Sequence, residues 1–311
     1  MSRLWRRKVL LAKLETTYGT DAAPTGGDAI LATDVRLSPM QGQDLDRNLD
    51  TPHGGPTGTI PVDLHRTISF KVELAGSGTA GTAPRWGCLL RACGCAETVT
   101  AATSVVYNRV YSNLESVTLH LNIDGTLYAM VGVRGTAAFD VSASGIPYIE
   151  FEFTALYVAP ADVAVPTADF TGIPDPLAAS DTNTPVFTID GTALVMRNFK
   201  LTLANRIEPQ FLIGEEEVIL DGHENTIEAR VRAVALAAFD PFVMAATQAK
   251  VPVEIEHGKT AGNIVNIAAP NAQMQRPEGL EDGQGRKEWP LRLVPLPTTS
   301  TAADQWMMTL T

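Results

Sequence analysis

The residue types that most often carry out catalysis or bind metals are few in this chain and widely scattered. The five histidines are His53, His65, His120, His223 and His257. None of them has the spacing of a metal ligand or a triad member with another, and Cys88, Cys93 and Cys95 lack the paired arrangement of a zinc site. We therefore predict solvated or structural histidines, and Cys88 and Cys93 as small apolar side chains on a helix. We expect no enzyme activity, cofactor or metal ion.

Two further segments resemble binding motifs only in composition. Residues 76–81 are rich in glycine, as in a phosphate-binding loop, but no Lys-Ser or Lys-Thr pair follows them. Such a pair contacts the phosphates and the metal ion in that motif. The run Glu215–Glu217 offers three carboxylates to a cation, but a run of like charges is more often a solvated turn. We interpret the first segment as a flexible connection and the second as an acidic turn.

The charge balance argues against a nucleic-acid-binding protein. The chain has 311 residues, with 24 Lys and Arg against 35 Asp and Glu and a formal net charge of −11. Because phosphate binding depends on clustered Lys and Arg, we expect no tight binding of duplex DNA. The odd number of cysteines favours a reducing compartment. The apolar run at residues 9–12 is too short for a secretory signal, and no stretch is long enough to span a bilayer.

Two segments with the same pattern organise the chain, at residues 67–94 and 226–246. In each, apolar residues alternate with polar ones, which predicts a strand with one buried face. A loop and one short helix follow. The alternating apolar residues are Ile68, Phe70, Val72 and Leu74 in the first segment and Ile227, Ala229, Val231 and Ala233 in the second. We therefore predict a mainly β protein with two tandem barrel or sandwich domains, each flanked by one short α-helix.

The helices are recognised by their periodicity and their end signals. The first is expected over residues 84–94 and the second over residues 240–246, with Asp240 as N-cap and Pro241 in the first turn. Apolar residues at helical spacing predict the side that faces the core. The expected core stripe consists of Trp86, Leu89, Leu90, Cys93 and Phe242.

Composition divides the chain further. The predicted parts are a basic N-terminal arm at 1–30, a first β domain at 31–160, a linker at 161–185, a second β domain at 186–297 and a C-terminal tail at 298–311. The linker is rich in Pro, Ala, Thr and Asp, which favours irregular structure. We expect the arm to pack on its own protein or on a neighbour. The tail is polar up to the apolar patch at residues 306–308, which we expect to dock onto a partner.

A long polar segment occupies the same place in both halves, between the first strand and the organising strand. These segments are Ser38–Arg66 and Ala204–Asn225. Loops longer than about 12–15 residues are uncommon in compact domains. We predict assembly loops whose spaced residues are buried against another subunit, and a solvated surface loop is the open alternative. The expected assembly residues are Asp44, Leu45, Asp46, Leu49, Asp50, Ile60, Glu208, Glu215, Glu216 and Glu217.

Several strings of residues carry a resemblance to a known family. They are Glu73–Pro84, Trp86–Gly94, the opening Leu10–Thr20 and Thr260–Asn263 in the second half. In these strings the chain resembles the major tail tube proteins of long, non-contractile-tailed bacteriophages. The resemblance covers most of the chain and is strongest between residues 67 and 157.

The resemblance implies a structural virion protein that polymerises as stacked rings into a tail tube. It implies assembly in the host cytoplasm, residence in the virion tail, and a tape-measure protein and a tail terminator as partners. DNA would pass through an acidic lumen without specific binding during ejection, and no membrane is involved. The resemblance also implies closed rings of six head-to-tail tube units. With two tube units per chain, we therefore expect rings of three chains with a pseudo-sixfold appearance.

Two alternatives stay open at this point. One is another tube or tail component on the same fold, such as a tail terminator or a secretion-tube-like protein. The other is a non-catalytic β-sandwich that binds a ligand such as a carbohydrate. That second alternative requires exposed aromatic side chains clustered on one face, and the aromatic content is only 6%.

Overall fold

The computed structural model describes residues 3–311, which form a mainly β protein with two short α-helices and a 3-10 turn at Gly26–Asp28. The strands up to residue 162 are β1 Lys8–Leu14, β2 Ala29–Ile30, β3 Ala32–Asp46, β4 Thr59–Glu73, β5 Cys95–Thr100, β6 Ser104–Arg109, β7 Val117–Ile123, β8 Thr126–Ser142, β9 Tyr148–Tyr157 and β10 Ala161–Asp162. The later strands are β11 Val186–Ile189, β12 Thr192–Ala193, β13 Met196–Thr202, β14 Asn205–Leu212, β15 Glu215–His223, β16 Thr226–Arg232, β17 Lys250–His257, β18 Val265–Met274, β19 Glu281–Gly283, β20 Arg286–Pro295 and β21 Met307–Leu310. The helices are α1 Gly87–Ala92 and α2 Pro241–Ala246.

The strands form sandwich layers and do not close into a barrel. Apart from the β14–β15 hairpin, they are linked by antiparallel pairing into one branched sheet. Across residues 3–311 this series of pairings never returns to the strand from which it began. The mainly β fold with two short helices is therefore confirmed, and of the two predicted architectures the sandwich is the one that forms.

The two organising strands each have a neighbouring strand on both sides and one buried face, and the buried face is what their alternation predicts. β4 pairs with β3 and β9, and β16 pairs with β13 and β20. The inward side chains are buried in one continuous core: Ile68, Phe70 and Val72 from β4 and Ile227, Ala229 and Val231 from β16. A period of two places one face of each strand in that core and the other in solvent.

Both halves pair their strands in the same order. The order is β3–β4–β9–β8–β7–β1 in the first half and β13–β16–β20–β18–β17–β11 in the second. The register also agrees, since Ile68 lies opposite Phe153 and Ile227 lies opposite Leu293. The division into tandem domains nevertheless stays a prediction, because pairing continues from one half into the other.

The long strand β8 makes that connection. Its N-terminal part pairs with β7, and its C-terminal part pairs with β9 on one edge and β13 on the other. The register shifts between Val131 and Arg134, where Gly132 has a left-handed φ of 60°. A Cβ atom on Gly132 would lie 2.8 Å from the ring of Tyr18. Only glycine fits both the conformation and the space here, so this position determines where β8 changes partners.

An ion pair network spans the same junction. Glu150 on β9 contacts Lys71 Nζ at 2.8 Å and Lys200 Nζ at 2.7 Å. Lys71 lies on β4 and Lys200 lies on β13, so one carboxylate joins side chains of both halves. Desolvation alone raises the pKa of Glu150, but the hydrogen bonds from Lys200 and Lys71 outweigh it and lower the pKa below its usual value.

Both terminal segments pack on the chain itself, which is one of the two outcomes expected for the N-terminal arm but not the one expected for the C-terminal patch. The predicted arm, whose first two residues lie outside the described part, contributes β1, with Leu10, Leu11 and Ala12 buried against the core. At the other end, β21 pairs with β6 of the first half and β18 of the second. Trp306 and Met308 are fully buried. The expectation that this patch docks onto a partner is wrong, because a gap between the two halves of its own chain receives it.

The bridging position of β21 gives a test of how strongly it joins the halves. Replacement of Trp306 by Ala should lower the free energy of unfolding by about 3–5 kcal/mol, since it removes a large buried ring and leaves a cavity. Met307 is 37% exposed on the same strand, so Met307→Ala is the matched control and should cost less than about 1 kcal/mol. Urea unfolding followed by circular dichroism measures both, and equal losses would contradict the bridging role.

Candidate assembly surfaces

The first long polar segment is a β-hairpin, which corrects the expectation of a loop. We call residues 39–66, the outer parts of β3 and β4 with their connecting turn, the first arm. Asp44 lies opposite Pro61, Leu45 opposite Ile60 and Asp46 opposite Thr59. Residues 39–46 on β3 are mostly exposed and have no buried face, so the sequence there lacks the period of two that marks a half-buried strand.

The first arm exposes the apolar residues predicted for assembly. Leu45, Leu49 and Ile60 each have about half of their surface exposed, at 51%, 48% and 51%. Leu45 and Ile60 form a cross-strand pair near the end of the hairpin. The acidic members Asp44, Asp46 and Asp50 are exposed as well. The first arm therefore presents an apolar pair bordered by carboxylates to its surroundings.

The second long polar segment is also a hairpin, formed by β14 and β15 as a separate sheet. We call residues 204–225 the second arm. Leu212 and Ile213 at its tip are exposed, and Glu215 and Glu216 beside them are exposed carboxylates. Glu208 forms an exposed ion pair with Arg206 at 2.8 Å. The tip of this arm is thus as free of contacts within the chain as the first arm.

The middle of the second arm, where Pro209 lies opposite Val218 and Gln210 opposite Glu217, is held by the first half. Glu217 accepts a hydrogen bond from Arg134 Nη1 at 2.6 Å, and the same nitrogen donates to the Val218 carbonyl at 2.8 Å. Arg134 Nη2 donates to the Leu114 carbonyl at 3.1 Å. Arg134 is mostly buried and makes several charge-assisted hydrogen bonds, which are stronger than neutral ones. Glu217 is consequently a structural contact within the chain.

Tyr18 completes this contact. Its hydroxyl accepts a hydrogen bond from the Val218 N–H at 2.6 Å and donates to the Gly132 carbonyl at 3.2 Å. The Arg134 guanidinium carbon lies 4.7 Å from the centre of the Tyr18 ring. Burial raises the pKa of Tyr18 to about 12, so the hydroxyl keeps its proton at neutral pH and can make both bonds.

The root of the second arm is fixed by Asn205. Its side-chain nitrogen donates to the Cys93 carbonyl at 2.7 Å and to the Gly135 carbonyl at 2.8 Å. Its backbone N–H donates to Thr136 Oγ1 at 3.0 Å, and Arg109 donates to its side-chain oxygen. Asn205 therefore connects the start of β14 to the end of α1 and to β8.

Sequence reasoning missed Arg134, Tyr18 and Asn205 as determinants of this surface. One signal was present, because Arg134 interrupts the otherwise apolar and small-residue stretch 129–139. An arginine that would be buried in such a strand needs acceptors from elsewhere in the chain. The identity of those acceptors, Glu217 and Val218, does not follow from the sequence.

The helix residues fall into two groups. Trp86, Leu89, Leu90 and Cys93 are buried, and the Trp86 indole N–H donates to the Ala75 carbonyl at 2.9 Å. Phe242 departs from the expected core stripe, because it is 43% exposed and meets Trp289 only edge to face, with ring centres 6.4 Å apart. The second helix is two turns long and turns Pro241 inward, which leaves Phe242 on its outer side.

The remaining candidate residues have structural surroundings. Cys88, Cys93 and Cys95 are free thiols, and burial raises the pKa of Cys88 and Cys95 to about 12 each. The Gly76 N–H donates to Asn263 Oδ1 at 2.7 Å, so the glycine-rich segment contacts the second half. Between residues 3 and 311 there is no group of three or more His, Cys, Asp or Glu side chains arranged to hold a metal ion. Neither helix in that range has the length and hydropathy of a membrane span.

Comparison with known proteins adds one match. A family model described as phage tail tube protein matches residues 5–297 of the 311. No curated protein matches the chain.

The contacts of Arg134 predict how the second arm is held. Arg134→Met keeps most of the apolar stem but leaves Glu217 and the Val218 carbonyl without their donor, so we expect a loss of about 3 kcal/mol in the free energy of unfolding. Arg206→Ala removes the exposed Arg206–Glu208 pair and should cost less than about 1 kcal/mol. Hydrogen exchange should show faster exchange across β14 and β15 in the Arg134 variant alone. Similar exchange in both variants would mean that the arm is held by other contacts.

Proposed function

We propose that this chain, which belongs to the phage tail tube protein family, is the repeating structural subunit of a viral tail tube. The observation that carries the proposal is the family match over nearly the whole chain. The fold is consistent with it, since a mainly β sandwich with two projecting hairpins offers sheet edges and arms for contacts between subunits.

The proposal includes a place and a set of partners. Subunits assemble in the host cytoplasm into rings, the rings stack into the tube of the virion tail, and a tape-measure protein and a tail terminator set its length and end. DNA passes through the lumen during ejection without being bound. The net charge of −11 supports this last point, because a surface with an excess of carboxylates repels phosphates and gains nothing from counterion release.

The subunit contains two tube units, and three chains therefore complete a ring. The support for two units is the common order of strand pairing and the common register at Ile68 and Ile227. A head-to-tail arrangement of the units is supported by the pairing of β8 of the first unit with β13 of the second. If every junction in the ring repeats that relation, and the ring holds the six units that the family resemblance implies, three chains close the circle with threefold symmetry and a pseudo-sixfold appearance.

The number of chains in each ring tests this proposal. We expect the purified protein to form rings or tubes that are visible by negative-stain microscopy, and native mass spectrometry of the rings to give the mass of three chains. A mass of six chains would mean that one half builds the wall alone. The absence of rings and tubes under all assembly conditions would refute the tube function itself.

The arms are proposed to connect successive rings. Leu45 and Ile60 of the first arm are exposed in the single chain, and a neighbouring ring would remove their apolar surface from water. The second arm contributes its tip, while its middle part stays on the first half through Arg134. The arms would then act between rings and leave the contacts within each ring unchanged.

Shortening the first arm separates these two kinds of contact. Asp44 lies opposite Pro61, so replacing residues 45–60 by Asn-Gly keeps the register and closes the strands with a two-residue turn. We expect a folded protein that still forms rings but not tubes. The full-length double variant Leu45→Ser, Ile60→Ser is the matched control for the apolar pair and should weaken stacking to a smaller extent. Tubes of normal length from the shortened protein would contradict an inter-ring role for this arm.

A further inference from the structure

The strands β3–β4–β9–β8–β13–β16–β20–β19 form one layer of the joined sheet, and among the described residues each end of this layer is paired on one side only. At one end, β3 pairs with β4 only. At the other end, residues 275–283, which include β19, pair with β20 only, and the Gln275 N–H donates to the Arg292 carbonyl at 2.9 Å on that side. The outer backbone groups of both edges are therefore available to another strand.

Apolar side chains at the two free edges are less buried than those at the internal junction. Leu280 is 61% exposed, and Val35 and Leu37 on β3 are only half-buried. The junction between β8 and β13 inside the chain is different, because Phe139, Val141, Phe199 and Leu201 are all buried there. The two free edges thus have the surface that a sheet junction would have if its partner strand were removed.

The pairing pattern makes the free edges counterparts of the two junction strands. Leu37 on β3 lies opposite Ile68, as Leu201 on β13 lies opposite Ile227. These two isoleucines occupy equivalent positions in the two halves. Ile68 on β4 lies opposite Phe153 on β9, and Ile227 on β16 lies opposite Leu293 on β20. By register, Leu37 corresponds to Leu201, and Arg36 corresponds to Lys200.

The same argument applies to the opposite edge. Asp140 on β8 lies opposite Tyr148, and Glu281 on β19 lies opposite Glu288. Tyr148 and Glu288 are themselves equivalent, since they lie opposite Glu73 and Arg232 at the ends of β4 and β16. Glu281 therefore corresponds to Asp140, and Leu280, one residue earlier, corresponds to Phe139.

The junction within the chain then supplies the register between chains. In it, Lys200 lies opposite Asp140 and Leu201 lies opposite Phe139. We infer that β3 of one copy pairs antiparallel with residues 280–283 of a second copy, which places Arg36 opposite Glu281 and Leu37 opposite Leu280. The closed ring rests on the proposed function, but this edge-to-edge register does not depend on the number of chains.

Charge and polarity agree with this assignment. The cation Lys200 has its counterpart in the cation Arg36, and the anion Asp140 has its counterpart in the anion Glu281. Opposite charges directly across a strand pair are favourable, and like charges are not. Glu281 already contacts Arg230 in its own chain, so Arg36 of the neighbouring copy would add a second cation beside that carboxylate. The apolar pair Leu37 and Leu280 would lose its exposure to water.

The proposed pairing between β3 and residues 280–283 extends over only a few residues. The five residues 276–280 stand where the first half has only the three residues 137–139, so the two edges diverge beyond Leu280. On β3 the register shifts between Thr33 and Arg36. The paired region is consequently short and centred on Arg36 and Glu281. Because the two edges are different, the contact is head-to-tail, which permits either closed rings or open filaments.

Cysteine cross-linking tests the register. In the full chain, Arg36→Cys and Glu281→Cys are introduced together, and the protein is oxidised under assembly conditions and separated on a non-reducing gel. We expect a shift from the mass of one chain to the masses of two and three chains. Both positions are exposed, so the substitutions should not impair folding.

The internal junction provides the matched control. Asp140→Cys with Lys200→Cys occupies the corresponding positions within one chain and should form an intrachain disulfide without any increase in mass. Each single-cysteine variant and the unaltered protein show the background from Cys88, Cys93 and Cys95. Arg36→Cys with Glu254→Cys, which places the second thiol on β17, should give no more cross-linked chains than that background.

The possible results separate this inference from the proposed function. Rings or tubes in the microscope without the 36–281 cross-link, while the internal control closes, would overturn the edge assignment and leave the tube intact. Cross-linked chains without any ring or tube would support the edge assignment and overturn the tube. The absence of both would overturn both.

Discussion

Backbone hydrogen bonds between β8 and β13 join two half-sheets into one, and most other features of the molecule follow from that contact. They bury Phe139, Val141, Phe199 and Leu201 between the halves. Because β14 continues from β13, the junction also determines where the second arm leaves the sheet. It places the two free edges at opposite ends of the same sheet, so their relative position is set by a contact inside the chain.

The second arm shows how a buried charge specifies one geometry. Placing an arginine such as Arg134 in a mostly buried position costs free energy unless its donors are satisfied. The carbonyls of Leu114 and Val218 and the carboxylate of Glu217 satisfy them only when the arm lies along β8. An apolar residue would allow the arm several positions of similar energy. The contact therefore selects one direction for the hairpin, in addition to whatever stability it gives.

The sequence predicts those elements that have one buried face. It does not predict contacts between residues on strands that are far apart in the chain. The alternation around Ile68 and Ile227 predicts both organising strands, because a half-buried strand repeats every two residues. Residues 39–46 on β3 of the first arm have water on both sides, so they carry no such period. From the sequence, Trp306 and Met308 were predicted to form an exposed patch, because the sequence does not show that β6 and β18 leave a gap between them for β21. Phe242 was misassigned because the sequence does not show that α2 turns Pro241 towards the core and leaves Phe242 on its outer side.

The covalent connection between the halves would also change the kinetics of building the proposed ring. In a ring of three chains, every second junction is the β8–β13 contact, which exists in the isolated chain at any dilution. Tethered partners meet at an effective concentration set by their connection and not by the amount of protein. Only the remaining junctions depend on collisions, so the rate of ring formation rises less steeply with subunit concentration than for a ring made of six separate units. The chain is therefore suited to assembly when little subunit has accumulated.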